Sequence, residues 1–203
     1  MAKFLVIAEK PSVAQSLAKN LSAYQRKDGY LEGTVALSVV SGHLAEYAPP
    51  EIYNEKYAKW QFEDLPIIPE VWKVQVSEDK KKQFDVLCGL MNRADVAYLV
   101  NGCDAGREGE LIFKRVYDLA GCQKPVKRLW ISSMEDEAIQ KGFQSLTDGR
   151  EYAGLCNAAV CRAQADWLIG MNATRAYPAI SATKVSSTRI LRLSPASVRS
   201  FFI

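Results

Sequence analysis

The chain has 203 residues, 48% of them hydrophobic and 24% charged, which suits a globular protein with core enough for one domain and part of another. No apolar run reaches the roughly 18 residues that a membrane helix needs, and the N-terminus enters a strand at once without a signal peptide, so the expectation is a chain with no membrane association. The net charge of +3 does not describe the body: Lys184, Arg189, Arg192 and Arg199 crowd residues 181–203, which hold no acid, and without them 22 basic residues stand against 23 acidic ones. A generally basic nucleic-acid binder is therefore excluded, and any such binding must come from a local patch.

In chain order, Lys3-Phe4-Leu5-Val6-Ile7-Ala8 reads as a strand, and Glu9-Lys10 stands at its exit. Pro11 opens a helix expected to run to about Tyr24, since proline suits the first helical turn. Asp28-Gly29-Tyr30 marks a turn, Thr34 to Val40 reads as a strand, and Ser41-Gly42-His43-Leu44 ends it. A lone histidine such as His43 is more often a packed or surface residue than a catalyst. Ala48 to Pro69 is too long for a simple connection, and such loops tend to carry function. Its Lys56-Tyr57-Ala58-Lys59-Trp60 interleaves bases and aromatics, as a stacking groove for single strands needs, or as aromatics packing the loop onto a sheet need. Val71 to Val76 alternates as a strand, and Lys80 to Met91 reads as an amphipathic helix with Lys80, Lys81 and Lys82 on its wet face.

Val96 to Val100 is an apolar run that reads as a buried strand, and Glu108 to Leu119 has helical spacing. Between them lies Asn101-Gly102-Cys103-Asp104-Ala105-Gly106-Arg107-Glu108-Gly109-Glu110, three acids and an arginine on a strand-to-helix turn. Strand exits are where α/β sheets bind ligands. Asp104 and Glu108 are spaced to share one cation, and carboxylates suit Mg²⁺. The alternative is a capped helix start, with Asp104 as the cap and Glu108 and Glu110 meeting the positive helix end. If this strand and the first one are parallel neighbours, Glu9, Asp104 and Glu108 converge at one edge of the sheet.

Val126 to Ile131 reads as another strand, Ser132 or Ser133 as the cap of a helix from Met134 to Leu146, and Asp148-Gly149 as its end. The order is that of an open α/β sandwich over residues 1–150. Residues 152–175 read as one long helix rich in small residues, with Arg162, Asp166 and Arg175 as its charges. Beyond Pro178 periodicity is lost, and 181–203 reads as a divergent, basic, Ser-rich tail of a composition that permits disorder. Cys88, Cys103, Cys122, Cys156 and Cys161 have no CxxC spacing and fit free thiols in a reducing cytoplasm.

Glu9-Lys10-Pro11-Ser12, Gly42-His43-Leu44, Trp60 with Asp64-Leu65-Pro66, the turn from Asp104 to Glu110, Arg128-Leu129-Trp130-Ile131-Ser132-Ser133 and Ala165 to Ala176 closely resemble, in order, the bacterial topoisomerase III group of type IA DNA topoisomerases. The resemblance covers residues 1 to about 178. It implies a toprim domain over 1–150, a Rossmann-like open sheet flanked by helices, and over 151–180 the first helix of a following, mostly helical, DNA-groove domain. Two departures stand out. The toprim pattern Asp-x-Asp-x-Glu has Gly106 in place of its middle acid, and the family's Tyr-Pro-Arg-Thr nucleophile segment does not occur in these residues. Tyr177-Pro178 belongs to the earlier motif.

The resemblance implies an ATP-independent isomerase that cleaves, passes and religates single-stranded DNA with Mg²⁺, in the cytoplasm at the nucleoid. It implies Glu9 as the proton donor and acceptor, Lys10 as a cation on the phosphoryl oxygens, and Arg107 as a second phosphate contact or else an ion pair with Glu110. Glu9, Asp104 and Glu108 become the metal ligands, and Trp60, Trp167 and Arg175 the DNA-groove residues. The piece is expected to be inactive alone. A toprim primase or nuclease, and a non-catalytic DNA-binding module, are the alternatives.

Overall fold

The computed structural model describes residues 3–33, 36–39 and 43–184. The strands and helices run β1 (Lys3–Ala8), α1 (Pro11–Asn20), β2 (Gln25–Lys27), β3 (Tyr30–Glu32), β4 (Ala36–Val39), β5 (Ala45–Tyr47), β6 (Val74–Val76), α2 (Lys81–Asn92), β7 (Val96–Asn101), α3 (Arg107–Leu119), β8 (Val126–Arg128), α4 (Asp136–Gln144), β9 (Thr147–Asp148) and α5 (Ala153–Lys184). The main sheet has the order β2-β3-β4-β1-β7-β8-β9, and β5 and β6 form a separate pair. The four central strands β4, β1, β7 and β8 are parallel, and the hairpin β2–β3 and the short β9 close the edges antiparallel.

The apolar runs explain this layout. A strand covered on both faces must be apolar throughout, because successive side chains point to opposite faces. Leu5 and Ile7 join Leu87, Met91, Leu99, Ile112, Phe113 and Val116 in the core that lies under α2 and α3. Val6 and Ala8 join Ala14, Leu17, Val100, Leu129 and Ile139 in the core that lies under α1 and α4. The register sets Ile7 opposite Asn101, and the Gly102 N–H donates to the Ile7 carbonyl at 2.8 Å. The chain segments that follow β1 and β7 therefore leave the sheet side by side, as the sequence required for Glu9 and Asp104 to meet.

Several boundaries differ from the sequence expectations. Helix α1 stops at Asn20 rather than near Tyr24, because Ser22 turns to a φ of 53° and the Ala23 N–H reaches back to the Ala18 carbonyl, closing the C-terminus. The strand expected from Val71 begins only at Val74, and the strand expected to reach Ile131 stops at Arg128. Helix α4 begins at Asp136 behind Glu135, which has no side-chain cap; Ser133 Oγ instead accepts from the Glu135 N–H at 3.2 Å. Of the strand expected over Thr34–Val40, residues 36–39 are described; Gly42 of the Gly-His-Leu motif and the tail beyond Lys184 lie outside the described residues.

Close contacts group the residues into two compact units, which differ from a boundary at 150. The first joins Met1–Glu46 to Val74–Val160, and the second joins Tyr47–Lys73 to the chain from Cys161 on. In the second unit, three 3₁₀ turns at Pro50–Ile52, Glu55–Ala58 and Phe62–Asp64 fold the long insertion. No helix among the described residues is long and apolar enough to cross a membrane.

Candidate functional site

The exits of β1 and β7 carry the charges. Lys10 Nζ donates to Asp104 Oδ2 at 2.5 Å, 94 residues apart in sequence. That bond, with the charges of Asp104 and Glu9, raises the Lys10 pKa and keeps its ammonium protonated. Glu9 Oε2 is buried and has no hydrogen-bond partner, an acceptor left free at the exit of β1. Glu108 Oε1 lies 3.1 Å from His43 Nε2. Beside these residues an open pocket of about 390 Å³ is lined by Gly102, Cys103, Asp104, Ala105, Ile131, Ser132 and Met134.

Of the capped-helix reading, Glu108 and Glu110 do stand in the first turn of α3, but Asp104 is not the cap. The N-cap of α3 is Gly106, with no side-chain cap, and the Asp104 carboxylate is turned to Lys10 instead. The expected ion pair between Arg107 and Glu110 is corrected too. Arg107 is exposed, while Glu110 is buried and its Oε1 accepts from Arg128 Nε at 2.5 Å. Arg107 thus keeps an exposed guanidinium next to the acids.

Beneath the turn lies a polar network that sequence reading missed. The Arg128 side chain is fully buried, and its guanidinium also donates to the carbonyls of Asn101, Cys103, Leu129 and Asp104 at 2.8–2.9 Å. Asn101 Nδ2 donates to Glu110 Oε2 at 3.2 Å, and Asn101 Oδ1 accepts from the Cys103 N–H at 3.1 Å. The only available signal was the alternation of β8, which points Lys127 outward and Arg128 inward. Gly109 is the other hidden requirement: a Cβ there would stand 2.2 Å from the Asp104 carbonyl oxygen, so only glycine lets α3 start this close to the turn. The lysines ahead of α2 are not all wet, since Lys80 Nζ donates to the His43 carbonyl at 2.7 Å and fixes the histidine's backbone.

Cysteine chemistry is absent from the site. Burial drives the Cys103 thiol far above its ordinary pKa, and its Sγ faces the Ile7 carbonyl at 3.8 Å. All five cysteines are free.

Metal binding would fall to Glu9, Asp104 and Glu108. Among the described residues no three His, Cys, Asp or Glu side chains are gathered closely enough to enclose an ion. The donor chemistry nonetheless fits an open, weak site. Glu9 offers an unpartnered buried oxygen, and Asp104 and Glu108 are 45% and 60% exposed, with Asp104 Oδ2 facing Lys10 and Glu108 Oε1 facing His43.

The expected DNA residues Trp60, Trp167 and Arg175 all belong to the second unit, where they do different things. Trp60 is 54% exposed, and the Arg175 guanidinium sits 5.3 Å from its ring centroid. Arg175 is itself buried, donates to the Tyr57 carbonyl at 2.7 Å and leaves Nε without a partner; burial lowers its pKa. Trp167 is half-buried, donates its indole N–H to the Ala48 carbonyl at 3.2 Å and packs edge-on against Tyr53 and Trp72. Asn172 pairs with both backbone groups of Ile67. One face of α5 thus clamps the insertion, and Trp60 is the ring left open to stack.

A family model described as the Toprim domain matches residues 4–134. The chain is 45% identical over 191 residues to DNA topoisomerase 3 of Bacillus subtilis (strain 168), covering 94% of this chain and 26% of that protein. It is 48% identical over 177 residues to DNA topoisomerase 3 of Bacillus thuringiensis (strain Al Hakam), covering 87% of this chain and 24% of that one. The chain spans about a quarter of the length of these curated relatives. Among solved structures, full-length topoisomerase I from Thermotoga maritima is similar with a TM-score of 0.48 and 17% identity, covering 71% of this chain and 21% of that one.

Proposed function

Since this chain belongs to the Toprim domain family, we propose that it is the N-terminal, phosphodiester-handling part of a type IA DNA topoisomerase of the topoisomerase 3 kind. The observation that carries the reading is the juxtaposition of Glu9 and Lys10 with Asp104 across the parallel pair β1–β7, with one Glu9 oxygen buried and unpartnered. The chain's near-complete alignment with the two Bacillus relatives supports it.

The reaction is a transesterification on single-stranded DNA without ATP. The hydroxyl of a tyrosine supplied by the rest of the enzyme attacks a phosphodiester and gives its proton to water, its oxygen bonds to phosphorus as the P–O3′ bond breaks, and the 3′-oxygen leaves. Glu9 is the carboxyl placed to pass a proton to that oxygen and to take it back on religation, so one group serves both directions. Lys10 is a fixed cation at the same exit and stabilises charge gathering on the phosphoryl oxygens. Arg107, exposed at the first position of α3, is a further phosphate contact. Asp104 and Glu108, with Glu9, would hold Mg²⁺, which when bound orients the DNA backbone and the cut end. Trp60 stacks on a base above Arg175, a sequence-tolerant contact worth about 1–3 kcal/mol. Work on chromosomal DNA in a reducing cytoplasm, at the nucleoid, is the setting this chemistry proposes.

A chimera tests the proposal. Residues 1–178 replace the corresponding N-terminal region of the Bacillus subtilis relative, and relaxation of supercoiled plasmid is followed with Mg²⁺ and no ATP. The expected result is relaxation that Glu9→Gln abolishes while DNA binding is kept, since glutamine holds the shape and loses the proton. A folded, DNA-binding chimera that never relaxes, or one indifferent to Glu9→Gln, overturns it. The 203 residues alone should relax nothing, synthesise no primer and form no covalent adduct with a labelled oligonucleotide; an adduct lost in Tyr177→Phe would contradict the assignment.

A further inference from the structure

We propose that Arg128 is the positioning residue of the acidic turn, its buried guanidinium setting where Asp104 and Glu108 meet a cation. The proposal rests on the metal reading above. It adds a residue on β8, the strand next to β7, that touches neither DNA nor metal.

Arg128 is the largest fully buried side chain among the described residues. Burying a guanidinium is costly unless it is paired and hydrogen-bonded. Here Nε meets Glu110, Nη1 meets the carbonyls of Asn101, Cys103 and Leu129, and Nη2 meets that of Asp104. Three of those five acceptors are carbonyls around the turn itself, at 101, 103 and 104. The planar fork fixes their spacing as well as satisfying them. Glu110 lies in the first turn of α3, so the Arg128–Glu110 pair ties the helix that carries Glu108 to the loop that carries Asp104. Asn101 closes the network by bridging Glu110 and the Cys103 N–H. On the outer side Trp130 and Tyr152 stack at 4.9 Å, with the guanidinium 5.0 Å from the Trp130 ring, which screens the network from water.

A residue needed only for stability would leave the turn's geometry alone. The wiring predicts otherwise: shortening the fork frees the carbonyls of Cys103 and Asp104 and lets the turn wander, while the sheet stays paired. Groups that orient ligands in this way typically change metal affinity by about 10- to 100-fold when lost.

The test is Arg128→Lys in the 203-residue chain, which keeps the charge but offers three donors for five acceptors. Two readouts are taken at neutral pH: Mn²⁺ affinity by calorimetry, and amide hydrogen exchange. The expected result is Mn²⁺ affinity lower by about 10- to 100-fold and faster exchange confined to residues 102–106, with protection of β1 and β7 kept. Unchanged exchange in 102–106 together with unchanged Mn²⁺ affinity overturns the proposal, whatever happens to the melting temperature. If Arg128→Lys does not fold, Asn101→Ala carries the same two readouts, since it loosens the Cys103 N–H without stranding a charge. If the unchanged protein binds no Mn²⁺, the metal reading fails by itself, and the exchange readout alone decides Arg128: faster exchange in the turn supports it, unchanged exchange overturns it.

Discussion

Replacing Gly109 by alanine sets two effects of opposite sign against each other. Within a helix the change from glycine to alanine ordinarily stabilises by about 1 kcal/mol. At 109 the new Cβ would lie 2.2 Å from the Asp104 carbonyl oxygen, 3.1 Å from the Asp104 nitrogen and 3.1 Å from the Cys103 Cβ. Carbon–oxygen contacts settle at about 3.3 Å or more, so α3 or the turn must retreat by about 1 Å. The nearest obstacles are backbone atoms, and the Asp104 carbonyl is held at 2.8 Å by Arg128. It cannot swing aside as a side chain would. Overpacking of this kind costs about 1–3 kcal/mol, which cancels the propensity gain of about 1 kcal/mol and leaves a net loss of up to about 2 kcal/mol. For a chain of this length the melting temperature should fall by up to roughly 8 °C. Gly89 is the internal control: it lies in α2 with nothing within 4 Å of a built Cβ, so Gly89→Ala should raise the melting temperature by a few degrees. Thermal unfolding followed by circular dichroism, both variants beside the unchanged chain, decides it. A Gly109→Ala protein as stable as Gly89→Ala would refute the close-approach argument.

Gly106→Asp restores the acid that the toprim pattern carries elsewhere; the backbone there is extended, with φ 170° and ψ 176°, and a Cβ meets nothing within 4 Å. Its stability should stay within about 0.5 kcal/mol of the parent, and calorimetry should show tighter Mn²⁺ binding from the added carboxylate; a lower affinity would refute the picture of an open, under-liganded site. Glu32 is held by Lys3 at 2.7 Å and Arg93 at 2.9 Å, and these bonds depress its pKa from 4.5 to about 2. A carboxyl with a depressed folded pKa contributes stability that is fully present above the ordinary value and is lost as protons bind. Urea midpoints should therefore fall between pH 4.5 and about 2, and Glu32→Gln should flatten that slope; an unchanged slope would remove Glu32 from the account.

The central strands were legible because parallel strands buried on both faces are written as unbroken apolar runs. Val96 to Val100 and Phe4 to Ala8 carry no competing signal. The hairpin β2–β3 was legible only as its Asp28-Gly29 turn, since Gln25-Arg26-Lys27 is short, polar and exposed. The two residues of β9 were read as a helix end, because Thr147 and Asp148 gain strand character only from pairing with β8. At the site, Glu9 and Asp104 were placed by the rule that ligands bind at strand exits. Arg128 was invisible for the opposite reason: beside Lys127 it looks like one more surface base, and only three-dimensional packing shows that its partners are backbone carbonyls 24 to 27 residues away. Trp167 and Arg175 were expected in a DNA groove because the resemblance implied it. Their indole N–H and guanidinium are spent on the Ala48 and Tyr57 carbonyls, which no spacing rule anticipates.

The most direct test of the site is a Mn²⁺ titration of the 203-residue chain beside Asp104→Ala and Glu108→Ala, followed by calorimetry and by paramagnetic broadening of side-chain resonances. The account predicts weak, one-to-one binding that broadens Glu9, Asp104 and Glu108 and is lost in Asp104→Ala, with Glu108→Ala weakened. Binding of the same affinity in Asp104→Ala, or broadening confined to carboxylates away from the exits of β1 and β7, would contradict it.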